Sequence, residues 1–251
     1  MLTILHRFAW WGAPLCAALM AATLEVGCAA EKTEKNTASS PETAKEDTDM
    51  SHVGLLVRLE AKPEKAEELA AFLKGALPAA NNEPGTASWF ALRIGPTTFG
   101  IYDSFADDTA RQTHLSGPIA AALTAKAPEL LAKPPKIEHI DVLASKLVPN
   151  SQVNVALVAL FEAKPGKENE LASHLSSARP LVQEEPATRA WFAIRLGPST
   201  FGIYDAFSDD TGRKAHLSGH TSDMLMAKFP VLLAKPPSVE QVDVLAAKFP
   251  K

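Results

Sequence analysis

Residues 53–60 read VGLLVRLE, a mostly apolar run of strand length. Apolar side chains then return at Ala66, Leu69, Leu73 and Leu77, the spacing of one helix face, just after Pro63 at a helix start. Two β-rich runs follow, residues 88–94 and 98–105, parted by Gly95-Pro96-Thr97, which is hairpin chemistry. Asp107, Asp108 and Thr109 offer N-cap oxygens to a helical stretch that breaks near Gly117-Pro118, resumes through Leu131 and stops at Pro134-Pro135. The alternating stretch KIEHIDVLASKL supplies a last strand. The order βαββαβ is that of a ferredoxin-like split βαβ unit.

The pattern then starts again. Sliding the chain by 102 residues lays Glu60 on Glu162 and Lys146 on Lys248 without a gap, and WFALRIGPTTFGIYDSF recurs as WFAIRLGPSTFGIYDAF. EAKP, HLSG, LLAKPP and DVLA recur in the same register. Such a long period suits a duplicated small domain rather than a solenoid. One sheet face of each unit is covered by its own helices. The other needs a cover, and a second copy of the same sheet is the natural one. The expected fold class is therefore α+β, two ferredoxin-like βαββαβ units (residues 52–148 and 153–250) packed sheet to sheet as an intramolecular dimeric α+β barrel.

Residues 1–28 stand outside this pattern. After His6 and Arg7 comes the uncharged FAWWGAPLCAALMAATL, which reads as an export signal. Cys28 follows Val26 and Gly27 as in a bacterial lipobox, although Glu25 occupies a position that lipoboxes keep apolar. Two outcomes stay open: lipidation of Cys28, or cleavage after Ala30. Residues 29–51, rich in Glu, Lys, Thr and Ser, read as a flexible tether. The expected location is the periplasm or cell envelope, with membrane contact only through the N-terminus. A net charge of −4 without a dense Lys/Arg run argues against nucleic acid as a partner. Both cysteines, Cys16 and Cys28, belong to this leader region, so the repeated units carry no disulfide or thiolate chemistry.

GTASWFALR, TFGIYDSFAD, ARQTHLSG and AAALTAKAPELL resemble the antibiotic biosynthesis monooxygenase family, whose aromatic strand F-x-(I/L)-Y-(E/D)-x-(F/W) precedes a helix with a His-Leu pair. The resemblance covers residues 53–249, once per copy. It implies a dimeric α+β barrel and, for members of known activity, oxidation of polycyclic phenols or quinols by O₂ without metal or flavin. Haem-degrading relatives use an Asn, a Trp and a His. Here Phe105 and Phe207 stand at the Trp position and only the His corresponds, which argues against haem breakdown.

Four residue pairs recur with chemistry to offer. His114 and His216 carry imidazoles that exchange protons near neutral pH, suited to deprotonating a phenol; the competing reading has each ring, near its helix start, bonding the local loop around Ser116-Gly117. Asp103 and Asp205 share a strand face with apolar neighbours, so each is either a base with a raised pKa or the partner of an internal ion pair with Arg93 or Arg195 across the hairpin. Those arginines would otherwise hold an anionic substrate oxygen. Trp89 and Trp191 are core or a stacking surface for a planar substrate. The other histidines, His52, His139, His174 and His220, do not recur, and no metal-ligand spacing, P-loop, G-x-S-x-G or G-x-G-x-x-G is present.

Two functional expectations follow. One is a monooxygenase without cofactor, acting on a small aromatic compound and O₂. The other is a non-catalytic barrel that binds a small apolar ligand or a protein partner. A polar-lined void between helices and sheet favours the first.

Overall fold

The computed structural model describes residues 51–251; the export-signal reading, Cys28 and nearly all of the tether lie outside the described residues. The first copy runs β1 (Val53–Glu60), α1 (Ala66–Gly75), α2 (Leu77–Asn81), β2 (Thr86–Arg93), β3 (Thr98–Phe105), α3 (Asp108–Leu115), α4 (Pro118–Leu130) and β4 (Lys136–Leu147). The second repeats the order as β5 (Val155–Glu162), α5 (Glu168–Ser176), α6 (Arg179–Gln183), β6 (Thr188–Arg195), β7 (Thr200–Phe207), α7 (Asp210–Leu217), α8 (His220–Leu232) and β8 (Ser238–Lys248). Among the described residues, no helix is long and apolar enough to cross a membrane.

Local chemistry sets the boundaries. The helix expected to continue through Leu77 breaks at Ala76, because Pro78 has no N–H to give and its ring opposes a continuous helix; α2 restarts around it. Asp107 caps α3, its carboxylate accepting from the Ala110 N–H at 2.9 Å, and Asp209 caps α7 from Gly212 at the same distance.

The sheets do more than lie face to face, as the sequence had suggested. The long β4 first pairs with β1, from Lys136 to Asp141, then crosses to pair with β6 of the other copy, from Asp141 to Leu147, through a bulge between Val142 and Ala144. β8 does the same with β5 and β2. Eight antiparallel strands thus close in the order β1-β3-β2-β8-β5-β7-β6-β4, and closure removes every exposed edge. An eight-stranded barrel has room for its own side chains and little else. Phe90, Tyr102, Phe192 and Tyr204 fill it, with the Tyr102 and Tyr204 rings stacked 4.4 Å apart. Two further cores, one per copy, lie between the outer sheet face and the helices and include Trp89 and Trp191.

Each crossing strand carries a lysine near its end, buried in the case of Lys146 and half-buried in that of Lys248. Lys146 of β4 donates to the carbonyls of Val182 (2.7 Å) and Glu185 (2.6 Å), at the end of α6 in the other copy. Lys248 of β8 reaches Ala80 (2.8 Å) and Glu83 (2.6 Å) in the same way. Positive charge at a helix C-terminus is favourable, and each of these carbonyls, which also accepts the backbone N–H three residues on, has a lone pair to spare. Lys146→Met should keep the side-chain stem while removing two charge-assisted bonds to the Val182 and Glu185 carbonyls. A loss of about 1–3 kcal/mol in urea unfolding is expected.

Candidate functional site

In each copy three side chains from three elements meet in a line. The loop after α2 brings Glu83, the last turn of α3 brings His114, and the middle of β3 brings Asp103. His114 Nδ1 lies 2.6 Å from Glu83 Oε2, and its Nε2 lies 3.3 Å from Asp103 Oδ2. The second copy repeats this with Glu185, His216 and Asp205 at 2.7 and 3.2 Å. Phe105 and Phe207 pack tilted against the imidazoles, with ring centroids 5.3 and 5.4 Å away.

This placement revises several expectations. The histidine sits at the C-terminal turn of its helix, not near the start, and bonds two carboxylates instead of the Ser116-Gly117 loop. Arg93 does not pair with Asp103. In the hairpin register Arg93 is opposite Phe99 whereas Asp103 is opposite Trp89, four residues and about 13 Å further along the strand. Arg93 instead pairs with Glu67 and lies over the Phe99 ring, 5.2 Å from its centroid. Arg195 likewise lies over Phe201 and donates to the Gly197 and Pro198 carbonyls, away from Asp205. Trp89 and Trp191 are fully buried in the helix–sheet cores, so they serve as packing and not as a stacking surface. Glu83 and Glu185 went unnoticed in the sequence, although Glu83-Pro84 and Glu185-Pro186 recur in register. Arg111 and Arg213 also recur; each guanidinium fastens its helix to strand carbonyls, in the first copy those of Gly54 and Ile140, both at 3.2 Å.

In the second copy the imidazole, with a carboxylate at each nitrogen, donates twice and is held as the cation. Burial opposes the charge on His216, but Asp205 and Glu185 together outweigh it and raise its pKa to about 10. Burial also opposes the Glu185 charge; bonds from His216, Thr221 and Thr188 prevail and hold that carboxyl at about 2. For the strand carboxylates burial wins. Asp103 is pushed up to about 7 despite the nearby imidazole, and Asp205 is raised for the same reason. One oxygen of each, Oδ1 of Asp103 and of Asp205, is buried without a hydrogen-bond partner. In the second copy the arrangement can therefore accept a proton at Asp205, with His216 as a fixed positive charge behind it. Among the described residues, no group of three or more His, Cys, Asp or Glu side chains is arranged to hold a metal ion.

The lining beside the two aspartates differs between the copies. In the second, a cavity of about 90 Å³ lies between helices and sheet, with Asp205, His216 and Ser222 in a wall otherwise made of apolar side chains such as Leu157, Ala159, Ile203 and Phe229. At the corresponding place in the first copy Val57 stands for Ala159 and Ala127 for Phe229. On the glutamate side, grooves of about 390 and 350 Å³ run past Glu83 and His114, and past Glu185 and His216. His216 thus separates an inner cavity from an outer groove.

No family model matches the chain, and no curated protein does. Solved structures do. A candidate monooxygenase from Fusobacterium nucleatum aligns over 79% of this chain and 94% of its own, at 16% identity and a TM-score of 0.70. Another from Lactobacillus acidophilus aligns over 79% and 96%, at 11% identity and the same TM-score. A protein of unknown function from Nitrosomonas europaea is 55% identical over 40% of this chain and 98% of its own, with a TM-score of 0.40. At their low identities, the first two show a shared fold.

Removing the histidine should leave two carboxylates facing each other without a counter-charge. His216→Ala is expected to lose about 3–5 kcal/mol in denaturant unfolding. The pH dependence follows from the signs. The folded pKa of His216 lies above its unfolded value near 6.5, so its stabilisation is complete below pH 6.5 and disappears as pH climbs through about 10. Glu185 acts oppositely: its contribution is present above pH 4.5 and lost on acidification toward 2. Asp103, raised to about 7, removes stability as pH rises from 3.8 to 7. Melting temperature should therefore peak on the acid side of neutrality and fall toward pH 10. Glu185→Gln should flatten the alkaline fall.

Proposed function

We propose that this chain, which has the fold of the dimeric α+β barrels typified by antibiotic biosynthesis monooxygenases, oxidises a small hydroxylated aromatic compound with O₂ and without a cofactor. The observation that carries this reading is Asp205: a buried carboxylate with an unpartnered oxygen in the wall of an apolar cavity, its other oxygen against a charged imidazole. Burial has raised its pKa toward the range in which a carboxylate takes a proton from a weak acid.

The chemistry needs only substrate and O₂. Asp205 accepts the phenolic proton, and electron density moves onto a ring carbon that bears hydrogen. That carbon, oxidised in the step, bonds O₂ and becomes a hydroperoxide after protonation. Loss of one water leaves a carbonyl, so that CH₂ and O₂ become C=O and H₂O in the keto form. His216, kept cationic by Glu185, stands beside the charge that moves. A cavity of about 90 Å³ limits the inner part of the substrate to one ring; an apolar cavity of ~150 Å³ is one that takes up benzene.

The non-catalytic reading draws on one fact: the Glu-His-Asp line is built equally well in the first copy, where it also pins α3 to the sheet. Oxygen consumption separates the two. Single-ring hydroquinones and phenols should be consumed with O₂ uptake, and Asp205→Asn should cut the rate about 100-fold or more. No uptake by the native protein, or uptake unchanged in that variant, removes the catalytic reading.

A further inference from the structure

The inner cavity of the second copy does not end at its apolar wall. Met226, Phe229 and Pro237, which line it, also line a surface groove of about 430 Å³ that continues along Pro230, Leu233 and Pro236. Around the junction Leu217, Met226 and Val239 are exposed, and Val231 lies further along α8 in the same state. Exposed apolar side chains gathered at a cavity mouth mark a binding surface, not a random scatter. The groove wall contains no carboxylate and two lysines, Lys235 and Lys164, the latter donating to the Pro230 carbonyl at 2.8 Å. At the inner end the only unpartnered polar atom is Asp205 Oδ1 among the side chains that line the cavity.

We propose that cavity and groove form one continuous site for an amphiphile, a hydroxyl-bearing head of one ring at Asp205 and an aliphatic tail along Met226, Phe229 and Pro237. A hydroxyl head can donate to Asp205, whereas a carboxylate head would meet its charge. The tail replaces water over apolar side chains, and the groove is several times larger than the cavity, so the tail is the larger part of the ligand. The first copy has Thr124 for Met226 and Ala127 for Phe229, which thins the same wall. The second copy therefore carries the wall along which the tail would lie. The proposal deepens the reading of Asp205 as proton acceptor and rests on it for the head alone.

Titration calorimetry without oxygen, using phenol, 4-propylphenol and 4-heptylphenol as probes, tests it directly. One equivalent should bind per chain, with Kd falling about threefold to fourfold for each added methylene. Met226→Lys, an exposed position whose melting temperature should stay at the native value, is expected to abolish that gain, and Thr124→Lys at the matching place in the first copy should preserve it. A Kd independent of tail length, two equivalents per chain, or a gain that survives Met226→Lys overturns the site. Because nothing is turned over in this measurement, its failure leaves the oxidation reading to the Asp205→Asn experiment, and absence of oxygen uptake leaves the binding result intact.

Discussion

Every feature of this molecule depends on burying the helix-free face of a four-stranded sheet. A single copy would expose Phe90, Tyr102 and their neighbours to water, each at roughly 1.5–3 kcal/mol of lost burial. The duplicate supplies the cover, and the crossing strands convert it into a closed barrel in which β4 and β8 each belong to both halves. Because those strands carry Lys146 and Lys248 into the opposite copy, the loop that positions each glutamate is held from across the barrel. The site is local in its chemistry but shared in its support.

Within that frame the electrostatics are tightly balanced. Two carboxylates and one imidazolium leave an excess negative charge in a place that water scarcely reaches. Glu185, with hydroxyl donors from Thr188 and Thr221 and partial exposure, keeps its charge against the opposing effect of burial. The strand aspartate, buried to the last few per cent, cannot, and its proton affinity rises. Environment thus assigns different roles to two chemically similar side chains on either side of one ring.

The copies share this scaffold yet diverge where it borders empty space. Ala159 for Val57 opens room above the sheet, while Met226 and Phe229 build a wall that Thr124 and Ala127 do not. Duplication keeps the fold's requirement for symmetry in the barrel interior, where the tyrosines stack on each other, and relaxes it in the helix layer, where Met226 and Phe229 stand for Thr124 and Ala127.

The sequence alone determined the repeat, the βαββαβ order and the apolar strand face that Asp103 shares, because periodicity and register are properties of neighbouring residues. It also singled out the histidines and aspartates by their recurrence. Only the tertiary structure decided their partners. Arg93 looked close to Asp103 because both lie on one hairpin, but the pairing register put Trp89 opposite Asp103 and left the arginine at the far end. Glu83 and His114 lie thirty-one residues apart, and nothing in local pattern joins them until α3 packs over the loop after α2. The strand crossing, too, was hidden, since the extra length of β4 and β8 acquires meaning only when a second sheet is there to receive it.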